Sequence, residues 1–213
     1  MSRMTKKEVL TQFRTREILA AARQVMERRG VEAATMEEIA QAAGVAKGTV
    51  YCYFHSKEEL LYTLMSQVGE NLLQDLSDRL AKPAPFARRL QEILALLLDY
   101  LQRERLLFPV YFRDLPRWLI EKPSGPIRRI RELEQEIMGH LTRMFAQGMA
   151  QGELMAANPR FLAYLLRGLI RAVGYYQMVE AKDDAGAGAL SVLEALWLTG
   201  LMRPPAGAEV SPP

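Results

Sequence analysis

The stretch Ala40-Gln-Ala-Ala-Gly-Val-Ala-Lys-Gly-Thr-Val-Tyr-Cys-Tyr-Phe54 changes character at its middle: small residues fill its first half, and three of its last four residues are aromatic. Two short helices joined by a tight turn need small side chains where their backbones approach, and a residue that tolerates positive φ at the turn. Ala40 and Ala43 meet the first need and Gly44 the second. Val45 and Val50 are then the apolar pegs that fix one helix against the other. The stretch predicts a helix-turn-helix, with a supporting helix over 36–43 and a second helix over 46–52.

The flanks agree with this reading. Thr35-Met-Glu-Glu38 has the form of a capping box, in which the Thr35 hydroxyl and the Glu38 carboxylate satisfy free amide groups at the helix start. A second such box, Ser56-Lys-Glu-Glu59, opens a longer helix over 56–80 with Leu60, Leu61, Leu64, Met65, Val68, Leu72 and Leu76 on its apolar face. Upstream, Ile18, Ala21, Ala22, Val25 and Met26 follow helical spacing until Gly30.

Downstream, Pro83 and Pro85 break the pattern, and Phe86, Leu90, Ile93, Leu94, Leu97, Leu98 and Leu101 line the next helix. A shorter region that holds Pro109, Pro116, Pro123 and Pro126 reads as irregular. Ile127, Ile130, Ile137, Leu141, Met144 and Phe145 mark a long helix. Asn158-Pro159 is a helix start signal for an apolar helix over 161–180. The segment 182–188 reads as flexible, a last helix covers 190–201, and the Pro- and Gly-rich tail 204–213 reads as disordered. The count is about nine helices and no sheet, an all-α chain.

Composition sets bounds. The 213 residues, 49% hydrophobic and 25% charged, suit a globular protein of one or two domains. Net charge is only +3, but residues 1–29 hold eight basic side chains against three acidic ones, so the basic excess adjoins the helix-turn-helix. One cysteine, Cys52, excludes an internal disulfide, and two histidines make a zinc cluster a poor fit. No signal peptide or membrane-length apolar run is present, so a soluble, cytoplasmic protein without a membrane partner is expected. His55 and His140 lack an evident partner carboxylate, and no phosphate-binding glycine loop or nucleophile motif occurs. The expectation is a non-enzyme without cofactor or metal.

A helix that enters a major groove shows its N-terminal residues to base edges and its flanks to phosphates. Lys47 and Thr49 carry donors for bases, and Gly48 lets the backbone come close. Tyr51 and Tyr53 hold hydroxyls on rigid stems suited to phosphate oxygens, and Lys57 adds a charge-assisted contact. The helix after Thr35 aims a positive N-terminus at a phosphate. Taken singly, each of these residues also fits plain helix packing or a solvated first turn, and Phe54 reads as core.

The segment from about Thr15 to Leu64, with Thr35-x-x-Glu-Ile-Ala-x-x-Ala-Gly-Val-Ala-Lys-Gly-Thr-Val-Tyr-x-Tyr-Phe-x-Ser-Lys-Glu-Glu-Leu-Leu61, closely resembles the DNA-binding domain of TetR-type transcriptional repressors. The resemblance implies three N-terminal helices, here 1–57, followed by a larger helical ligand-binding and dimerisation domain, here 58–203. It places Lys47, Gly48 and Thr49 at base-reading positions and Thr35, Tyr51, Tyr53 and Lys57 at phosphate contacts. Two departures stand out: Ala46 where a serine cap is frequent, and Cys52 where bulkier or basic residues are frequent. A redox role for Cys52 lacks a resolving cysteine.

The resemblance further implies a homodimer through the last two helices, 161–180 and 190–201, reading a palindromic double-stranded operator. It assigns the middle helices to an effector pocket, where Tyr100, Phe108, Tyr111, Phe112, Trp118, Met138, Met144 and Tyr164 concentrate. For each of these, core packing is the competing role. Arg167 and Arg171 lie on an otherwise apolar helix and suit an amphipathic anion such as a fatty acid or acyl-coenzyme A. The expectation is a ligand-responsive regulator, most simply a repressor; the rival is an adaptor that keeps the fold, has lost DNA binding and acts through protein partners.

Overall fold

The computed structural model describes residues 5–120, 125–180 and 188–201, the side chains of 7, 115–120 and 201 excepted. Among the described residues there are nine α-helices and no β-strand. They are α1 Lys6–Arg29, α2 Met36–Ala42, α3 Lys47–Tyr53, α4 Lys57–Leu80, α5 Phe86–Arg103, α6 Phe108–Ile120, α7 Gly125–Ala150, α8 Pro159–Glu180 and α9 Ala189–Leu201. The expected flexible segment 182–188 falls outside the described residues except for Gly188, as does the whole of the tail 204–213.

Local hydrogen bonds explain most helix ends. At α2, Glu38 N donates to Thr35 Oγ1 at 3.2 Å and Thr35 N donates to Glu38 Oε2 at 3.1 Å, which completes the capping box. The α2 C-terminus is a Schellman motif: Val45 N donates to Ala40 O and Gly44 N to Gln41 O, with Gly44 at φ +64°. At α4 only half of the expected box forms. Glu59 N donates to Ser56 Oγ at 3.1 Å, but the Glu59 carboxylate reaches one residue further back and accepts from His55 N at 2.7 Å.

Two elements differ from the sequence reading. Apolar periodicity in α1 begins at Ile18, yet the helix starts twelve residues earlier, because Thr5 and Glu8 form a capping box of their own. The stretch expected to be irregular is helix α6. Pro109 sits in its first turn, where no intrahelical N–H is needed, and Pro116 removes a single hydrogen bond without ending the helix.

The chain divides into two compact units, Met1–Gly69 with Pro109–Arg131, and Glu70–Phe108 with Glu132–Pro213. The first buries Ile18, Ala22, Val25, Met26, Ile39, Val50, Phe54, Leu60 and Leu64. Its α6 segment carries Arg113, whose guanidinium pairs with Glu32 at 3.3 Å and with Asp114 at 2.9 Å. The second unit is built on α5, where Phe86, Leu90, Ile93, Leu94, Leu97 and Leu101 are buried as the spacing predicts. Phe145 of α7 stacks between Phe86, at 5.7 Å, and Trp197 of α9, at 5.3 Å. Gly148 is required there, since a Cβ at that position would lie 2.6 Å from the Phe86 ring.

Candidate nucleic-acid interface

α3 is held from one side only. Val50 is fully buried and Phe54 nearly so, while Lys47, Gly48, Tyr51 and Cys52 on the remaining surface are exposed and Thr49 and Tyr53 half-buried. A seven-residue helix pinned by one valine and the following phenylalanine presents its first turn outward. At Gly48 an added Cβ would meet no protein atom within 4 Å. Its missing side chain therefore serves no internal contact, and the free space lies outside the protein.

The cationic groups are already engaged. Lys47 forms an ion pair with Glu37, in the first turn of α2, and its ammonium lies 5.8 Å from the centre of the Tyr51 ring. The pairing pulls the Glu37 carboxyl below and pushes the Lys47 ammonium above their ordinary ranges, so both stay charged at neutral pH. The Lys57 ammonium donates to the Val31 carbonyl at 3.0 Å and to the Glu32 carbonyl at 2.7 Å. Two of its three N–H groups thus tie α4 to the turn that ends α1, and one remains for a phosphate. Thr35 spends its hydroxyl proton on Glu38 Oε2 at 3.0 Å, so a phosphate contact through that hydroxyl requires rotation. Ala46 offers α3 no side-chain cap.

Glu37 is the partner of Lys47 that reading the sequence misses. It looks like an ordinary acidic first-turn residue, favourable at a helix N-terminus. Its link to Lys47, ten positions later, exists only once the turn at Gly44 brings the two helix starts together.

The effector candidates divide between the two units. Tyr111 and Phe112 belong to the first, with ring centres 5.9 Å apart. Trp118 belongs there too, but its side chain lies outside the described residues. In the second unit Met138 and Met144 are buried and Phe108 is half-buried. Tyr100 is buried and donates to Asp75 Oδ2 at 2.7 Å; burial and that carboxylate push its phenol up to about 12. Arg167 pairs with the buried Glu134 at 2.8 Å and lies 5.0 Å from the Tyr164 ring, and Tyr164 itself is exposed. Arg171 is half-buried one turn further on. An open depression of about 410 Å³ is lined by Glu132, Gln135, Glu136, Gly139, His140 and Arg143 of α7, none of them among those candidates. Among the described residues no cluster of His, Cys, Asp or Glu could hold a metal, and no helix is long and apolar enough to cross a membrane.

Comparison with known proteins bears on this surface directly. Residues 18–63 match the family model described as bacterial regulatory proteins, tetR family, which takes in the second half of α1, all of α2 and α3 and the start of α4. The fatty acid metabolism regulator protein of Bacillus subtilis is 25% identical over 182 residues, 84% of this chain and 92% of that protein. A transcriptional regulator of the TetR/AcrR family from Thermobifida fusca has the same fold, with a TM-score of 0.74 at 22% identity over 88% of this chain and 97% of that one. So does the Bacillus subtilis regulator FadR, solved in complex with stearoyl-CoA, with a TM-score of 0.60 at 24% identity over 84% of this chain and 96% of that one. These relatives are transcriptional regulators, not enzymes. With the helix-turn-helix, its capping boxes and the all-helical architecture in agreement, residues 18–63 form a DNA-binding region of the tetR family type, and the chain has the fold of TetR-type transcriptional regulators.

Proposed function

We propose that this regulator is a homodimeric repressor that binds a palindromic operator and is released by an amphipathic acyl effector. The observation that carries the reading is the outward first turn of α3, with Lys47, Gly48 and Thr49 presented and Gly48 free of any internal neighbour. In this reading those three residues meet base edges, while Thr35, Tyr51, Tyr53 and Lys57 hold phosphates on either side. The DNA-binding region is 1–57, and 58–203 serves effector binding and dimerisation.

A protomer with one such helix reads one half-site. Two protomers related by a two-fold axis read two, spaced about 34–36 Å apart in successive major grooves. The acyl character of the effector is supported by the relatives, one named for fatty acid metabolism and one solved with stearoyl-CoA. Arg167 and Arg171 on α8 would face its anionic end. Effector binding would favour a conformer in which the two recognition helices no longer match successive grooves.

The test is a selection from random duplexes with purified protein at near-physiological salt, followed by titration of a fluorescent copy of the enriched site with stearoyl-CoA. A palindrome with half-sites about one helical turn apart, released by micromolar stearoyl-CoA but not by coenzyme A, is the expected result. Enrichment of no motif would overturn operator binding. A motif whose complex ignores acyl-CoA would overturn the effector assignment alone.

A further inference from the structure

The pairing of Lys47 with Glu37 gives the reading surface a negative charge at the point where it meets a polyanion. We propose that Glu37 is a specificity-determining residue: it orients Lys47 toward a G·C pair and disfavours duplexes that lack one there. The inference rests on the operator-binding reading.

The geometry supports both halves of the statement. Glu37 and Lys47 side chains are each about half exposed, 56% and 53%, so neither is locked in the core and both lie on the surface that α2 and α3 share. The two helices do not need the pair to hold them together, because Ile39, Ala40 and Val50 do that in the buried interface beneath. Glu38, next along the chain, turns the other way, with its carboxylate on the Thr35 cap and on Arg29 at 3.3 Å. Of two adjacent glutamates, one completes the helix start and the other is aimed at the recognition helix.

An ammonium has three N–H groups. With one held by Glu37 and the ammonium itself 5.8 Å from the centre of the Tyr51 ring, the remaining donors are left for a base. A guanine offers O6 and N7 there, and its paired cytosine offers an N4 donor that a carboxylate accepts. At such a pair Lys47 and Glu37 are both satisfied. At an A·T pair only N7 of adenine accepts beside the N6 donor, so Lys47 loses one of its two contacts, and with either pair reversed the carboxylate meets acceptors, which costs affinity. On random sequence the pair therefore acts as one unused cation and one repelled anion.

The experiment compares wild type with Glu37→Gln, Lys47→Met and the double variant. Each is selected on random duplexes and titrated on a random-sequence 30-mer duplex across a range of salt. The glutamine variant, isosteric and exposed, is expected to melt as wild type does. It should bind the random duplex several-fold more tightly, with a salt slope steeper by up to about one. Its enriched motif should lose preference at one G·C pair per half-site, where discrimination falls by about 5- to 100-fold. In the Lys47→Met background, Glu37→Gln should remove no further base preference, because the two residues act as a unit.

A glutamine variant with unchanged motif, unchanged random-duplex affinity and unchanged slope overturns the role of Glu37 while leaving operator binding intact. A wild-type protein that binds no duplex overturns operator binding, and this inference with it. Loss of preference spread evenly over the half-site also overturns it, since that is the signature of a merely structural residue.

Discussion

Gly48 separates folding from function at the scale of one residue. Within a helix, glycine costs up to about 1 kcal/mol relative to alanine. No internal contact explains that cost here, because a Cβ at Gly48 would find open space. Gly48→Ala is therefore expected to raise stability by roughly 0.5–1 kcal/mol, measured by chemical denaturation. The same substitution should weaken binding to the selected operator at least tenfold, because the added methyl stands where the groove floor must come close. A variant that is both more stable and equally tight on DNA would show that the backbone never approaches the duplex at this position. Tyr53 gives no such separation, since it is half-buried and carries a polar tip.

At the scale of the element, α3 is short, pinned by Val50 and without an N-cap side chain at Ala46. Replacing an alanine N-cap by serine contributes about 0.5–2 kcal/mol. Ala46→Ser should raise the unfolding free energy by that amount and protect the α3 amides from hydrogen exchange, and no change in either would mean that α3 opens only with the whole unit. The helix-turn-helix is legible in the sequence because its determinants are local. Each capping box spans four residues, and the Gly44 turn is closed by bonds no longer than Val45 N to Ala40 O.

Partners set by tertiary geometry are not legible in that way. Glu37 opposite Lys47, Glu32 opposite Arg113 and Glu134 opposite Arg167 have no spacing rule. Helix α6 was hidden by its prolines, since Pro109 and Pro116 read as breaks when considered by local propensity alone. The first unit includes this helix, so a boundary drawn at the end of the motif, at residue 57, does not coincide with the division by compactness. The expected domains followed the motif, and the packing follows α4, which continues past Gly69 into the second unit's residues.

At the scale of the whole molecule, the decisive feature is that α8 has two apolar faces. Leu162, Ala163, Leu166, Ile170 and Gly174 are buried on one side. Phe161, Leu165, Tyr175, Tyr176 and Val179 are exposed on the other, between 42% and 64%, at the spacing of a single helical stripe. Gly168 and Ala172, both exposed, lie at the centre of that stripe, where two crossing helices need small side chains. Val192 and Leu196 of α9 add a second exposed row. At those exposures the apolar side chains named here offer roughly 700 Å² per protomer. A stable interface takes about 600–1,000 Å² from each partner, so an area of this size can support a homodimer. Ala172→Glu tests it without touching the core, since Ala172 is exposed and both residues suit a helix. Two-fold symmetry would bring two carboxylates together at the crossing, and burying both without partners costs several kcal/mol. The variant should sediment as a 24.1 kDa monomer with unchanged helix content, whereas wild type should sediment at twice that mass. Its affinity for a full palindrome should fall to that for a single half-site. Sedimentation of Ala172→Glu at the dimer mass would move the interface away from α8, and a monomeric wild type would leave the palindrome without a symmetric reader.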